Sequence, residues 1–169
     1  MSARRAGEID ATRWRLATID DDPAVVAMVA ALYDEDPGDL PVPVESTRRT
    51  LEALRAEPVR GRVVVLDDCG AARGYAFLIA FWSNELGGET CEIDELYVAP
   101  PLRGRGHASA LVRSLALGTG PWPRVPLALC LQITPGNARA RALYERLGFQ
   151  VWPNAMMVAR VAMPKTFGE

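Results

Sequence analysis

Two runs of residues in this sequence have the types and the spacing to do chemistry. Glu92, Asp94 and Glu95 place three carboxylates on a short apolar stretch, Cys91-Glu92-Ile93-Asp94-Glu95-Leu96-Tyr97-Val98. A carboxylate held beside a nucleophile can take up the proton that the nucleophile must lose. Strict strand alternation puts Glu92 and Asp94 on one face and Glu95 on the other. Arg103-Gly104-Arg105-Gly106-His107-Ala108 follows at once, ahead of a helical run. Backbone N–H groups at the start of a helix point outward unpaired and make an anion site. Glycines there remove the side chains that would hold a phosphate away. The turn therefore suits a ligand carrying phosphates. A pair of glycines also serves simply to permit a tight strand-to-helix turn.

The elements that must position these residues are legible in the patterning. Trp14–Ile19 is a short strand. Asp22 caps a helix with Pro23 at its first position and Val25, Val29, Leu32 and Tyr33 as its stripe. Asp34-Glu35-Asp36-Pro37-Gly38-Asp39 closes it in an acidic loop, and a second helix spans 44–56 with Thr47, Leu51 and Leu54 inward. Strands at 62–66, 74–82 and 90–98 are joined by turns at 67–70 and 83–88. After the glycines, Ala108, Leu111, Val112 and Leu115 share one helix face. A Gly/Pro-rich connector leads to a buried strand, Leu127–Thr134. A helix at 137–147 stops at Gly148, and Phe149–Trp152 with Ala155–Val161 forms a closing hairpin. A strand, a helix and a second strand over 90–134 make a crossover, so those two strands run parallel.

Composition sets the class. A chain of 169 residues, 49% hydrophobic and 24% charged, makes one domain over 13–169 behind a loose tail at 1–12. A net charge of −2 gives no electrostatic case for nucleic acid. Lys165 is the sole lysine, a codon preference for arginine. Cys69, Cys91 and Cys130 are widely spaced thiols of a reducing compartment, and one histidine builds no metal site. No signal peptide or membrane-length apolar run is present, so the expected location is cytoplasmic.

The glycine turn lacks the Gly-Lys-Ser/Thr ending of a P-loop. As a dinucleotide fingerprint it has Ser109 where a third glycine belongs, and no βαβ unit opens the chain. Arg103-x-x-Gly106-x-Ala108 behind Leu96-Tyr97-Val98-Ala99-Pro100 instead resembles the Arg/Gln-x-x-Gly-x-Gly/Ala signature of the GNAT superfamily of acyl-CoA-dependent N-acetyltransferases. A second stretch resembles the same family in order: Leu131-x-Ile133, Asn137, Ala140, Leu143-Tyr144-Glu145-Arg146, then Gly148-Phe149. Ala108 replaces a final glycine, which the signature allows.

The resemblance implies a mixed α/β fold: a central, mostly antiparallel sheet flanked by helices, whose parallel strands four and five splay apart. It implies acetyl-CoA as co-substrate without a metal, its pyrophosphate on Arg103, Gly104, Arg105, Gly106, His107 and Ala108. The pantetheine arm would pair with Leu96, Tyr97 and Val98, and Asn137 would contact the cofactor or cap its helix. Tyr144 matches the family's general acid, a core aromatic being its plainer role. Glu92 and Asp94 resemble carboxylates that serve as base, a task water also performs in this family. The family usually carries a strand bulge near this point, which can reverse the facing of these residues, so alternation does not decide it. Glu95, Glu85 and Trp82 would bind a small, cationic primary amine, the acidic loop adding to the attraction. A protein or peptide amine, or a catalytically silent acyl-CoA sensor, is the alternative. Neither nucleic acid nor membrane is an expected partner, while a homodimer is compatible with the family.

Overall fold

The computed structural model describes residues 12–38, 41–153, 156, 157 and 159. Among the described residues, five strands make one sheet in the order β1-β2-β3-β4-β5: Arg13–Leu16, Gly61–Asp68, Ala71–Ser83, Gly88–Val98 and Leu129–Leu131. Neighbours are antiparallel except β4 and β5, which are parallel as the crossover requires. Four helices among the described residues flank the sheet: α1 Asp22–Glu35, α2 Val44–Ala56, α3 His107–Leu117 and α4 Ala138–Arg146.

Each face of the sheet buries its own set of side chains. Val25 and Val29 of α1 and Leu51 and Leu54 of α2 pack on Val65, Tyr75, Phe77 and Tyr97. Leu111, Val112 and Leu115 of α3 and Tyr144 of α4 pack on Val64, Ala76, Leu78, Cys91 and Ile93. The stripes of α1, α2 and α3 read from the sequence supply these contacts, except that Ala108 lies outside the core and α4 buries Tyr144 where the spacing predicts Leu143 on the inner side.

Strand β4 carries the irregularity that matters for function. Phe77 pairs with Glu95, but Leu78 pairs with Ile93, so Asp94 is an extra residue bulged out of the ladder. The bulge inverts alternation: Cys91 and Ile93 face α3 and α4, yet so does Leu96, while Tyr97 faces α1 and α2. Pairing of β4 with β5 covers Cys91–Ile93 against Leu129–Leu131 and ends there, although β4 runs on to Val98. The two parallel strands thus part at the bulge.

Several elements differ from expectation. β5 is limited to Leu129–Leu131 and is half-buried to exposed rather than buried; beyond it the Thr134 carbonyl accepts from the Asn137 N–H at the head of α4 at 3.0 Å. β1 ends at Leu16, and Ile19–Asp21 is a short 3-10 turn closed by a Thr18–Asp21 capping box. The helix cap is Asp21, one residue earlier than Asp22; its carboxylate is taken by Arg15 at 2.7 and 2.9 Å rather than by the helix. Residues 149–153 form no strand, and most of the expected partner strand at 155–161 lies outside the described residues. Among the described residues, no helix is long and apolar enough to cross a membrane.

Candidate active site

The glycine turn has the backbone that an anion site needs. Gly104 and Gly106 have φ of 77° and 86°, a left-handed conformation that L side chains seldom adopt. Gly106 is the N-cap of α3, and no side chain caps that end. Its first-turn N–H groups are therefore left for an external acceptor. A Cβ built on either glycine meets nothing within 4 Å, so the space before the turn is open. Trp14 of β1 donates its indole N–H to the His107 carbonyl at 2.9 Å and pins the turn to the sheet. Arg105 and Gly104 are exposed, and His107 and Ala108 half-buried. The arrangement fits a pyrophosphate.

Arg103 is engaged elsewhere. Its Nε donates to the Val98 carbonyl at 2.6 Å, its guanidinium grips Glu35, and its Cζ lies 5.1 Å from the centre of the Tyr97 ring. This side chain ties the end of β4 to the end of α1. Arg105 is exposed and makes no ion pair among the described residues.

The parted strands form the next section of the site. Leu96 faces the α3/α4 core and Tyr97 the other, with Val98 half-buried between the bulge and the glycine turn. Tyr144 shares the α3/α4 core with Ile93, Leu131 and Ile133, 9% exposed, its ring edge-on to Phe149 at 5.4 Å. Burial alone pushes its phenol up to about 12, and the hydroxyl has no hydrogen-bond partner among the described residues. It therefore stays protonated at neutral pH with its proton uncommitted.

Asn137 caps α4 by accepting from the Ala140 N–H at 2.9 Å. Its amide donates to Asp36 at 2.6 Å, and the Thr134 hydroxyl donates to the other Asp36 oxygen at 2.6 Å.

The carboxylates are arranged differently from what alternation alone predicts. Glu92 lies opposite Ile79 and Glu95 opposite Phe77, both on the α1/α2 face, because the bulge at Asp94 resets the parity between them. Glu95 accepts from the Tyr33 hydroxyl at 2.9 Å and the Tyr75 hydroxyl at 2.7 Å. Burial raises its pKa, and those two hydrogen bonds pull the other way. The same desolvation lifts Tyr33 to about 12 and raises Tyr75 further. Asp94 is exposed, yet surrounding protein and then the Glu92 charge raise its carboxyl. Glu92 faces the Gln132 amide at 3.4 Å.

Trp82 and Glu85 do not join this group. They sit at the β3–β4 hairpin, roughly 20 Å along β4 from the bulge at about 3.3 Å per residue. Trp82 is 68% exposed, and Glu85 lines a cavity of about 990 Å³ with Arg113, Arg146 and Trp152. The partners that the sequence did not announce are Tyr33, Tyr75, Glu35 and Asp36. Tyr33 is written as a helix stripe and the two acids as part of an acidic loop that attracts the acceptor, whereas Glu35 pairs with Arg103 and Asp36 with Thr134 and Asn137.

The model of the acetyltransferase (GNAT) family matches residues 26–149. None of the curated proteins matches the chain in sequence. Solved structures do match. An integron cassette protein from the mobile metagenome of Cole Harbour Salt Marsh is 27% identical with a TM-score of 0.68, covering 89% of this chain and 91% of that one. A possible acetyltransferase from Clostridium difficile 630 is 19% identical with a TM-score of 0.76, over 90% and 99% of the two chains. A predicted acetyltransferase from Clostridium acetobutylicum, solved with acetyl-CoA, is 18% identical with a TM-score of 0.71, over 88% and 96%. The last two likenesses speak to the fold.

Proposed function

Because the chain belongs to the acetyltransferase (GNAT) family, we propose that it moves an acetyl group from acetyl-CoA directly to a primary amine of a small, cationic acceptor. One observation supports this most. β4 parts from β5 at the Asp94 bulge, and the uncapped start of α3 and the buried Tyr144 phenol both belong to the helical layer over that opening.

The chain's residues divide the work. N–H groups of the Arg103–Ala108 turn hold the pyrophosphate, with Arg105 as counter-charge and His107 at the helix start. Main-chain groups of Leu96, Tyr97 and Val98, which β5 no longer occupies, pair with the amides of the pantetheine arm. Asn137 stands at the opposite wall, at the head of α4. The acetyl-CoA thioester supplies the activated acyl group.

A protonated amine does not attack a thioester, so Glu92 or Asp94 takes the amine's proton, directly or through water. The amine nitrogen then forms its bond to the carbonyl carbon as the carbon–sulfur bond breaks. Tyr144 gives its proton to the departing sulfur, and the second proton that the amide nitrogen sheds passes through water to restore the phenol. Glu95, held by Tyr33 and Tyr75, lies on the α1/α2 face of the cleft and, with Asp94 and Glu92, favours a cationic acceptor. Glu85 and Trp82 lie too far along β4 to touch the same small amine.

The test is a thiol-release screen with acetyl-CoA as donor over polyamines, aminoglycosides, amino-acid derivatives and peptide N-termini. Turnover concentrated on small cationic amines is the expected result. Acetyl-CoA binding without turnover on any amine would replace the transferase by a silent acyl-CoA binder.

A further inference from the structure

The last residue of α1 and its C-cap reach opposite sides of the same opening. Glu35 grips Arg103, which follows β4, and Asp36 grips Thr134 and Asn137, which follow β5. The Asp36 contacts join residues 98 and 101 positions apart, and both are 2.6 Å. Its carboxylate spends one oxygen on each partner.

What Asp36 holds is the head of α4. Thr134 ends the segment leaving β5, and Asn137 is the cap whose own oxygen takes the Ala140 N–H. α4 is a nine-residue helix, anchored otherwise by Ala140, Tyr144 and Leu147 in the α3/α4 core. Tyr144 lies seven residues after Asn137 in sequence, two helical turns on and about 10 Å along the axis, on the same side of the helix. Over so short a distance a helix behaves as a rigid lever, so displacement at its cap displaces the phenol.

From this geometry we infer that Asp36 is a positioning residue: by clasping Thr134 and Asn137 it sets the register of α4 and so aims the Tyr144 hydroxyl into the opening between β4 and β5. The inference rests on the transferase role proposed above for Tyr144. Asp36 touches no reacting atom in this scheme. It acts from the acceptor-side layer on the helix that carries the proton donor.

The test uses the full chain with Asp36→Ala and Asp36→Asn. Amide hydrogen exchange is followed across α4, with α2 as the internal reference, and steady-state kcat and KM are measured for acetyl-CoA and the best amine. Asp36→Ala is expected to speed exchange in α4 about tenfold while leaving α2 unchanged. It should lower kcat about tenfold, a modest loss for a misaligned catalytic group, with both KM values nearly constant. Asp36→Asn keeps an acceptor for the Asn137 amide and can turn its N–H to the Thr134 hydroxyl oxygen, losing the charge but not the bonds, so it should fall between wild type and Asp36→Ala. Unchanged exchange in α4, or equal acceleration in α2, would overturn the proposal. So would a rise in KM for the amine at constant kcat, which would make Asp36 an acceptor ligand. If the wild-type chain acetylates no amine, faster exchange confined to α4 would still uphold the clasp, and only the transferase role would fall.

Discussion

Arg103 and Glu35, 68 residues apart in sequence, form a two-pronged ion pair with N···O distances of 2.8 and 2.9 Å. The pair pulls the carboxyl of Glu35 below its usual range, first through its hydrogen bonds to Arg103. It also commits the guanidinium of the first residue of the glycine signature to α1.

This orientation separates two arginines that look equivalent in sequence. Arg105→Ala is expected to weaken acetyl-CoA binding severalfold by isothermal titration, and Arg103→Ala to weaken it less. Arg103→Ala should instead lower unfolding stability by about 1 kcal/mol in urea denaturation, the scale of a well-formed but partly exposed fork. Arg103→Lys should recover little of that, since an ammonium cannot match the two-pronged geometry. Equal losses of cofactor affinity in the two alanine variants would return Arg103 to the phosphates.

Tyr144→Phe removes an oxygen that bonds to no described residue, so folding stability and acetyl-CoA affinity should hold. Turnover on the best amine should drop about tenfold or more, the usual worth of a placed proton donor. Unchanged turnover at saturating substrates would remove Tyr144 from the chemistry and leave it a core aromatic.

The Tyr33–Glu95–Tyr75 cluster makes a pH prediction. Burial raises Glu95, and hydrogen bonds from the two tyrosines oppose that rise. A carboxyl raised in the folded state stabilises the protein below its unfolded pKa, and that contribution disappears as pH climbs through the folded value. Tyr75→Phe deletes one opposing bond, so Glu95 should titrate higher still by carboxyl NMR. Urea midpoints of this variant should fall more steeply from acidic to neutral pH than those of wild type. A Glu95 titration unmoved by Tyr75→Phe would mean that the hydroxyl does not bond to the carboxylate in solution.

Asp21 predicts the opposite slope. Arg15 holds its carboxyl down from 3.8 to about 2 in the folded state. The stability it contributes is present above pH 4 and is lost as pH falls from about 4 to about 2, a change of about 2 kcal/mol. Asp21→Asn should flatten that part of the stability-against-pH curve. An unchanged acid limb in the variant would assign acid unfolding to other carboxylates.

Much of the site was written locally. The glycines that bend into α3, the Asn137 cap and the Leu143-Tyr144 pair each owe their conformation to neighbours within a few residues. Helix stripes such as Leu111, Val112 and Leu115 follow the same logic, since a period of 3.6 leaves one face apolar whatever it packs on. β5 and the segment after Gly148 were harder. An apolar run such as Leu127–Thr134 suggests a buried strand, but its residues are half-buried or exposed. Burial at a sheet edge depends on what covers it, and the run does not say how far a partner strand continues beside it.

By itself, then, the sequence determined that a glycine turn opens a helix behind an acidic strand, and that a capped helix bearing Tyr144 follows the next strand. Those are contacts between near neighbours, and side-chain type settles them. Only the tertiary structure decided that Asp94 is squeezed out of β4, since a bulge is a mismatch with β3 and β3 is read elsewhere. It alone put Glu92 and Glu95 on one face, turned Arg103 to Glu35 and carried Asp36 to Asn137. Each of these pairs joins distant parts of the chain, and which partners meet depends on how both faces of the sheet are filled.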